Sequence, residues 1–411
     1  MSLSITDLSV ADSAFDVMTS TRSLLIYFAA KAQSLSGGPQ VILNLVQALA
    51  STTWLPIVVV PQENLLSQAL RSQKVAVEVL TPPKVLITND SAVKSSWSEK
   101  LGILGALETY HCQLADLGRR YQVQGIWCRN VKSVLLTHGA AKQLQVPLIW
   151  DIGLEKTRSL FWRGLLQWGL WQADAIVMEA ACQRQDLFGN WIPRFFAKKI
   201  RAIAPGISEK RIRQIQAYPP KVRSHSSEPY VITCIGSINN RKNQLGLLQA
   251  VAALNRPEIQ VQLVGGATDE AYGQTCQDFV EQTPELTGRV SFLGWREDVP
   301  ELMSQSDLLV LPSRGEGIPY VIHEAMHAGL PIVATTVGGI PDALSDRKTA
   351  RLVSKDDPLA LQQAIADCLD DPDAATQRAT QAQQFAREKF AIAAWSKNYL
   401  ALLENLCAKA G

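Results

Sequence analysis

The sequence has no C-x-x-C pair. Its seven cysteines stand singly, so neither a zinc site nor a disulfide framework is indicated, and they read as reduced thiols. No run of 18 apolar residues, the length that would suggest a membrane span, occurs. The first twenty residues, MSLSITDLSVADSAFDVMTS, carry Asp7, Asp12 and Asp16 and lack both a basic start and an apolar block. That argues against a secretory leader and for a cytosolic protein with a loose N-terminal extension. Histidine is scarce: of five, only His323 and His327 are close, four apart. They either share a helix face as metal ligands or pack in a core; no third ligand accompanies them, so packing is favoured and no metal site is expected. Strong charge of one sign is missing too, with a net of +2, and nucleic acid is not an expected partner.

What is present points to a two-domain α/β protein. At 411 residues with 47% hydrophobic and 19% charged side chains, the chain is globular and too long for one ordinary core. Up to Arg213 there are 23 Lys+Arg and 15 Asp+Glu; the remainder has 17 and 23. The basic front half suits an anionic acceptor or a membrane surface, or lets the halves attract each other. Short apolar runs alternate with helical patterns: SLLIYFAA, a glycine-bearing loop at Gly37 and Gly38, the helix-like VILNLVQALA, then PIVVVP, VAVEVL, GIWCRN, VPLIWD and ADAIVME with helices between. This predicts parallel strands covered on both faces. The polar, Pro- and Ser-bearing stretch around EKRIRQIQAYPPKVRSHSSEP reads as a linker. After it the alternation restarts with YVITCIGS, IQVQLVGG, RVSFLGW, DLLVLPS, PIVATT and ARLVS. The expected layout is an extension over 1–20, a first doubly wound domain over 21–210, a linker over 211–228, a second over 229–380, and a helical segment over 381–411 that returns to the first domain. The acidic DDPD at 370–373 reads as a solvated turn rather than a metal motif.

Within SRGEGIPYVIHEAMHAGLPIVATTVGG, Glu316 and Glu324 lie eight positions apart around a Gly-x-Pro turn. DLLVLPS is a buried parallel strand, so the residues from Ser313 to Gly317 should line the crevice outside its carboxyl end. Pro319 suits a first helical position, which predicts a helix from Pro319 to Ala328 ended by Gly329. The N–H groups of Tyr320 and Val321 would then face the crevice and hold a phosphate. Two carboxylates flanking one anion site suit a diphosphate with a sugar at each end, because a carboxylate accepts hydrogen bonds from adjacent sugar hydroxyls. The ordinary alternative makes Glu324 a surface helix residue and Glu316 a favourable charge near a helix start.

The segment EGIPYVIHEAMHAGLPIVATTVGGIPDAL closely resembles the E-x(7)-E signature of the retaining, family-four nucleotide-sugar glycosyltransferases. SGGPQ, IAPGIS, YVITCIGSINNRKN, VQLVGG, VSFLGW and SDLLVLPS follow in the family's order. The resemblance implies the GT-B architecture, two Rossmann-like domains facing across a cleft. It implies a hexose-type sugar moved from a UDP-, GDP- or ADP-sugar to a hydroxyl of a glycan or lipid-linked acceptor, with retention of configuration and without a metal or other cofactor. No D-x-D follows an apolar strand, in keeping with that habit. By similarity Glu316 would bind the transferred sugar, the backbone from Gly317 through Ile318, Pro319 and Tyr320 to Val321 the sugar and phosphate oxygens, and Glu324 the ribose. Lys242 would neutralise the diphosphate, Gly37 and Gly38 would let the backbone approach the donor phosphates and acceptor, and Gly265, Trp295 and Arg296 would border the base.

Two departures stand out. The family's arginine after the loop glycine is Ser237 here, with Arg241 beside Lys242 as the candidate substitute, and arginine and serine are not equivalent on phosphate. A His-Asp pair common in relatives is Trp150-Asp151, which leaves Asp151 to orient an acceptor hydroxyl; Arg129 is a further acceptor-side candidate. Trp162, Trp168, Trp171, Trp191, Phe195 and Phe196 are interleaved with Arg163, Arg194, Lys198 and Lys199, which either anchor the protein peripherally on an anionic membrane or pack between helices and sheet. Competing functions are a catalytically inactive nucleotide-sugar-binding partner or regulatory subunit, and an epimerase or phosphorylase of similar fold.

Overall fold

In a computed structural model the described residues are 22–29, 35, 37–50, 52–83, 97–153, 160–181, 183–188, 194–221 and 228–408. The expected N-terminal extension, most of the serine-bearing end of the linker and Trp191 lie outside them, as do the side chains of Trp162, Arg194 and Phe195. The chain divides into two compact units. The first takes the described residues within Met1–Met178, Leu187–Ile203 and Ser396–Gly411, and the second takes Glu179–Asp186 and Ala204–Trp395.

In the first unit, strands β1 (Arg22–Tyr27), β2 (Trp54–Val60), β3 (Ala76–Val79), β4 (Val123–Arg129), β5 (Leu148–Ile152), β6 (Ala175–Met178) and β7 (Ile200–Ala202) form one sheet ordered β3-β2-β1-β4-β5-β6-β7. Every pairing is parallel. Its helices are α1 (Gly38–Leu49), α2 (Leu65–Ser72), α3 (Trp97–Arg120), α4 (Val131–Leu144), α5 (Leu160–Gln172), α6 (Gln183–Phe188), which runs across the division, and α7 (Arg194–Ala197). Strand β5 is buried at every position, and Trp127 and Trp150 are wholly inside. Burial on both faces is why these strands read as unbroken apolar runs.

The second unit holds α8 (Glu209–Gln216), β8 (Tyr230–Ile235), α9 (Gln244–Leu254), β9 (Ile259–Val264), α10 (Glu270–Gln282), β10 (Val290–Gly294), α11 (Val299–Gln305), β11 (Leu308–Leu311), α12 (Tyr320–Ala328), β12 (Ile332–Thr335), α13 (Ile340–Ala343), β13 (Arg351–Val353), α14 (Pro358–Asp370) and α15 (Pro372–Lys389). The last helix, α16 (Ile392–Cys407), begins in this unit and ends in the first. The second sheet is also all parallel, ordered β10-β9-β8-β11-β12-β13. Each sheet therefore reverses its winding once, between β1 and β4 and between β8 and β11, and such switch points are where open α/β sheets bind ligands.

Local structure departs from the sequence reading in three places. The stretch expected as linker begins as α8, capped by the Ser208 hydroxyl, with Ile215 buried in the core of the second unit. Pro319 is extended and precedes α12 rather than opening it, while Gly329 ends the helix in the left-handed region. Asp371, within DDPD, caps α15 by accepting from the Ala374 N–H, with Pro372 in the first turn. Among the described residues no helix is long and apolar enough to cross a membrane.

Candidate active site

At the second switch point, β8 runs into Gly236 and β11 into Pro312 and Ser313. Gly236 (φ 149°) and Gly265 (φ 144°) both hold a backbone conformation that suits glycine, and the Gly236 carbonyl fills the place a Cβ on Gly265 would need. A Cβ on Gly236 would meet Lys242 Cε at 3.1 Å. The bare glycine lets the buried lysine lie across the strand end. Asn239 accepts from the Lys242 N–H through both Oδ1 and its carbonyl, which fixes the turn carrying Arg241 and Lys242.

These two cations converge on one carboxylate. Lys242 Nζ lies 2.8 Å from Glu316 Oε1 and Arg241 Nη1 lies 3.0 Å from Oε2. Arg241 also donates to the Gly315 carbonyl at 2.7 Å, and its own carbonyl accepts from Arg314 N–H at 2.7 Å. Glu316 and Lys242 are both under 10% exposed, so the pairing compensates charges that burial alone would penalise. Ser313, fully buried at the end of β11, has a hydroxyl with no partner among the described residues. Ser237 points no cation here; its carbonyl accepts from Gln244 Nε2 at 3.0 Å. Arg241 is thus the second cation of the cluster.

The glycine pair after β12 completes the loop. Gly338 (φ 52°) leaves room for the Glu316 carbonyl, and Gly339 N–H donates to the Gly317 carbonyl at 2.9 Å. Gly317 in turn packs against the Glu179 carboxylate and Gln183, whose Oε1 accepts from the Ala180 N–H at 3.2 Å. Glu179 and Gln183 escape a sequence reading as neighbours of this loop because they lie more than a hundred residues earlier in the chain.

Glu324 does not join the Glu316 cluster. It accepts from Arg211 Nε at 2.6 Å; burial raises its pKa, and the Arg211 charge and hydrogen bond oppose that rise. On the same helix His323 and His327 are buried. His323 stacks on Phe390 with centroids 4.0 Å apart, and burial lowers the two pKa values to about 3 and about 4. They are neutral packing residues at ordinary pH. Trp295 is exposed, and Arg296 is tied to Asp298 by a 2.7 Å hydrogen bond from Nε.

At the first switch point, Arg129 ends β4 and Asp151 sits opposite it in register on β5. The guanidinium pairs with Asp151 Oδ1, and Oδ2 accepts from the Tyr399 hydroxyl on α16. Both carboxylate oxygens are engaged, and all three residues are buried. Burial, then the Asp151 charge, pushes the Tyr399 pKa far up. Gly38, at the start of α1, and Gly153 border the Arg129 guanidinium: a Cβ added to either would lie 3.7 or 3.1 Å from its nearest nitrogen, respectively. Gly37 (φ 66°) precedes α1 as its capping residue.

Residues 229–371 match the family described as Glycosyl transferases group 1. Among curated proteins, the D-inositol 3-phosphate glycosyltransferase of Corynebacterium diphtheriae is 31% identical over 217 residues, 48% of each chain. The GDP-mannose-dependent alpha-(1-6)-phosphatidylinositol monomannoside mannosyltransferase of Mycolicibacterium smegmatis is 29% identical over 186 residues, 41% of this chain and 47% of that one. The chain spans about half the length of the curated relatives it matches. Among solved structures, Anabaena HepE in complex with UDP superposes with a TM-score of 0.74 at 19% identity, covering 94% of this chain and 100% of that one. A glycosyltransferase from Rickettsia africae superposes with a TM-score of 0.76 at 15% identity, covering 94% and 98%. The chain has the GT-B fold, and its residues 229–371 are a glycosyl transferases group 1 domain.

Proposed function

We propose that the protein is a retaining glycosyltransferase that moves a hexose-type sugar from a nucleotide-sugar donor to a hydroxyl of a glycan or lipid-linked acceptor. The observation that carries this reading is the convergence of Arg241 and Lys242 on Glu316 at the second switch point. In the proposed donor complex Glu316 accepts from hydroxyls of the transferred sugar, and the cations it now neutralises turn to the diphosphate. The bond from the anomeric carbon to the diphosphate oxygen breaks while the acceptor oxygen bonds to the same face. The departing diphosphate takes the acceptor's proton. Charge on the leaving group grows along this path, so preorganised cations stabilise the transition state more than the ground state. Arg241 and Lys242 supply that charge, and the scheme contains no metal.

The UDP in the structural neighbour and the GDP-mannose of the mannosyltransferase relative make UDP- and GDP-sugars the first donors to test. The Arg129–Asp151–Tyr399 group stands at the corresponding end of the first sheet, and we assign it to the acceptor side with Arg129 as the anion-facing member. Proton NMR of the product tests the reading: an anomeric coupling matching that of the donor supports retention, and inverted product contradicts it. Donor binding without turnover of any acceptor would favour the inactive partner instead.

We also propose peripheral contact with an anionic membrane from the cytosolic side. Trp171 is 67% exposed and makes a T-shaped contact with Phe196, and Arg163 on the same helix and Lys198, just after Phe196, are exposed; an exposed aromatic together with exposed bases suits the headgroup layer. Trp168, by contrast, packs against the core and His138. Pelleting with phosphatidylglycerol vesicles at low salt tests this, and a Trp171→Ala variant that pellets as well as wild type would refute it.

A further inference from the structure

Glu316 is a buried carboxylate and Glu324 a half-buried one of the same signature, yet they draw their counter-charges from different places. Glu316 takes Arg241 and Lys242 from the turn after β8. Glu324 takes Arg211 from α8, 113 residues away in sequence. Helix α8 is held where it can do this: Ser208 caps it by accepting from the Arg211 N–H at 3.3 Å, and Ile215 buries the helix's apolar side in the core that contains Val321, Ile322 and Ala325 of α12. Arg211 is the third residue of α8, on its first turn, and its Nε reaches only Oε1 of Glu324. Oε2 accepts from no group among the described residues, and it is not wholly buried.

We infer that Arg211 is a positioning residue for the donor's ribose: it anchors Oε1 of Glu324 and leaves Oε2 as the oxygen that accepts from a ribose hydroxyl. The inference rests on the donor-site reading above. A carboxyl held through one oxygen by a charged hydrogen bond has fewer orientations open to it, so its second oxygen is presented over a narrower range of directions and favours a hydroxyl there. Without the guanidinium, burial acts on Glu324 unopposed, and the carboxyl protonates at a higher pH than in the wild type. Of the titratable groups on α8, α11, α15 and α12 itself, Arg211 alone acts on Glu324; His323 is stacked on Phe390, and His327 feels Arg387 instead.

The test is calorimetric binding of UDP, GDP and ADP between pH 5 and 8 to wild type, Arg211→Met, Arg211→Lys, Glu324→Gln and the Arg211→Met/Glu324→Gln double variant. Expected for Glu324→Gln is a loss of about tenfold, the effect of weakening one charged hydrogen bond, with a flat pH dependence. Arg211→Met should bind within a few-fold of wild type at pH 8 and lose affinity as pH falls, starting from a higher pH than wild type does. Arg211→Lys should move back toward wild type, and the double variant should match Glu324→Gln. With the 2′,3′-dideoxy analogue of the best nucleotide, the differences between variants should vanish, which a merely structural role would not produce. A pH profile for Arg211→Met that overlays wild type, or losses that multiply in the double variant, overturns the inference while leaving the donor site standing. Glu324→Gln binding like wild type at every pH, or no nucleotide binding to wild type, overturns the donor-site reading and the inference with it.

Discussion

The carbonyl oxygen of Glu316 occupies the space that a Cβ on Gly338 would fill. The turn after β12 therefore acts as a mould for the loop after β11, and only a residue without a side chain fits it.

Gly338→Ala should consequently disturb the site at its backbone. Gly338 has φ 52°, a conformation that costs an alanine about 1–2 kcal/mol before any clash, and the Glu316 carbonyl must then move as well. We expect a destabilisation of about 2 kcal/mol or more and a loss of nucleotide binding. Gly315→Ala is the control: it is in the same loop, with no positive φ and nothing within 4 Å of the added carbon. Thermal melts and nucleotide titrations of both variants check this, and equal behaviour would refute the mould.

The buried Arg129–Asp151 pair makes an opposite pattern for single and double substitution. Removing one member of a buried pair leaves the other charge stranded, at a cost of about 3–5 kcal/mol, whereas replacing both by apolar residues can be neutral. Arg129→Met should lower the melting temperature more than Arg129→Met/Asp151→Leu does. Tyr399→Phe, which removes the hydroxyl donated to Asp151, should cost about 1.5–3 kcal/mol. A double variant less stable than the single would contradict the geometry.

Acid should act through His323 and His327. Burial depresses both pKa values below that of an unfolded histidine, so between about pH 6.5 and their folded values the unfolded chain binds protons that the folded chain does not. Their contribution to stability is present above about pH 6.5 and is lost on acidification, by about 1.4 kcal/mol per pH unit for each histidine. A His323→Leu/His327→Leu variant should therefore lose less melting temperature than wild type between pH 7 and 5. Parallel curves for the two proteins would contradict this.

Much of this architecture is legible in the sequence because doubly covered strands are continuous apolar runs, and PIVVVP or DLLVLPS cannot be mistaken for loop. The elements that are not legible have little apolar signal. Helix α8 is EKRIRQIQ, with two isoleucines among charges and prolines soon after, so it reads as linker and Arg211 escapes notice. Strand β7 is three residues at a sheet edge beside two lysines. In the site, local spacing gives Glu316, Gly317 and the glycine pair, Lys242 comes from the family resemblance, and its pairing with Glu316 is seen only in the structure, where β8 and β11 are neighbours. Tyr399 on Asp151 and Glu179 on Gly317 are contacts across 248 and 138 positions, which no local pattern encodes. Spacing leaves Glu324 either a hydroxyl acceptor or a surface helix residue, and the Arg211 contact engages one of its two oxygens.

Whether Arg241, Lys242 and Glu316 hold a nucleotide sugar is decided by a calorimetric titration of wild type, Lys242→Ala and Glu316→Gln with UDP, GDP and ADP and with their hexose conjugates. One nucleotide should be preferred, and Lys242→Ala should bind it about tenfold or more weakly, because a charged partner of the diphosphate is gone. Glu316→Gln should bind that free nucleotide at least as well as wild type, since Arg241 and Lys242 are released from the carboxylate, and should bind the sugar conjugate less well. Nucleotide binding that ignores Lys242→Ala, or a Glu316→Gln variant that treats the free nucleotide and its sugar conjugate alike, would show that these residues do not form the donor site.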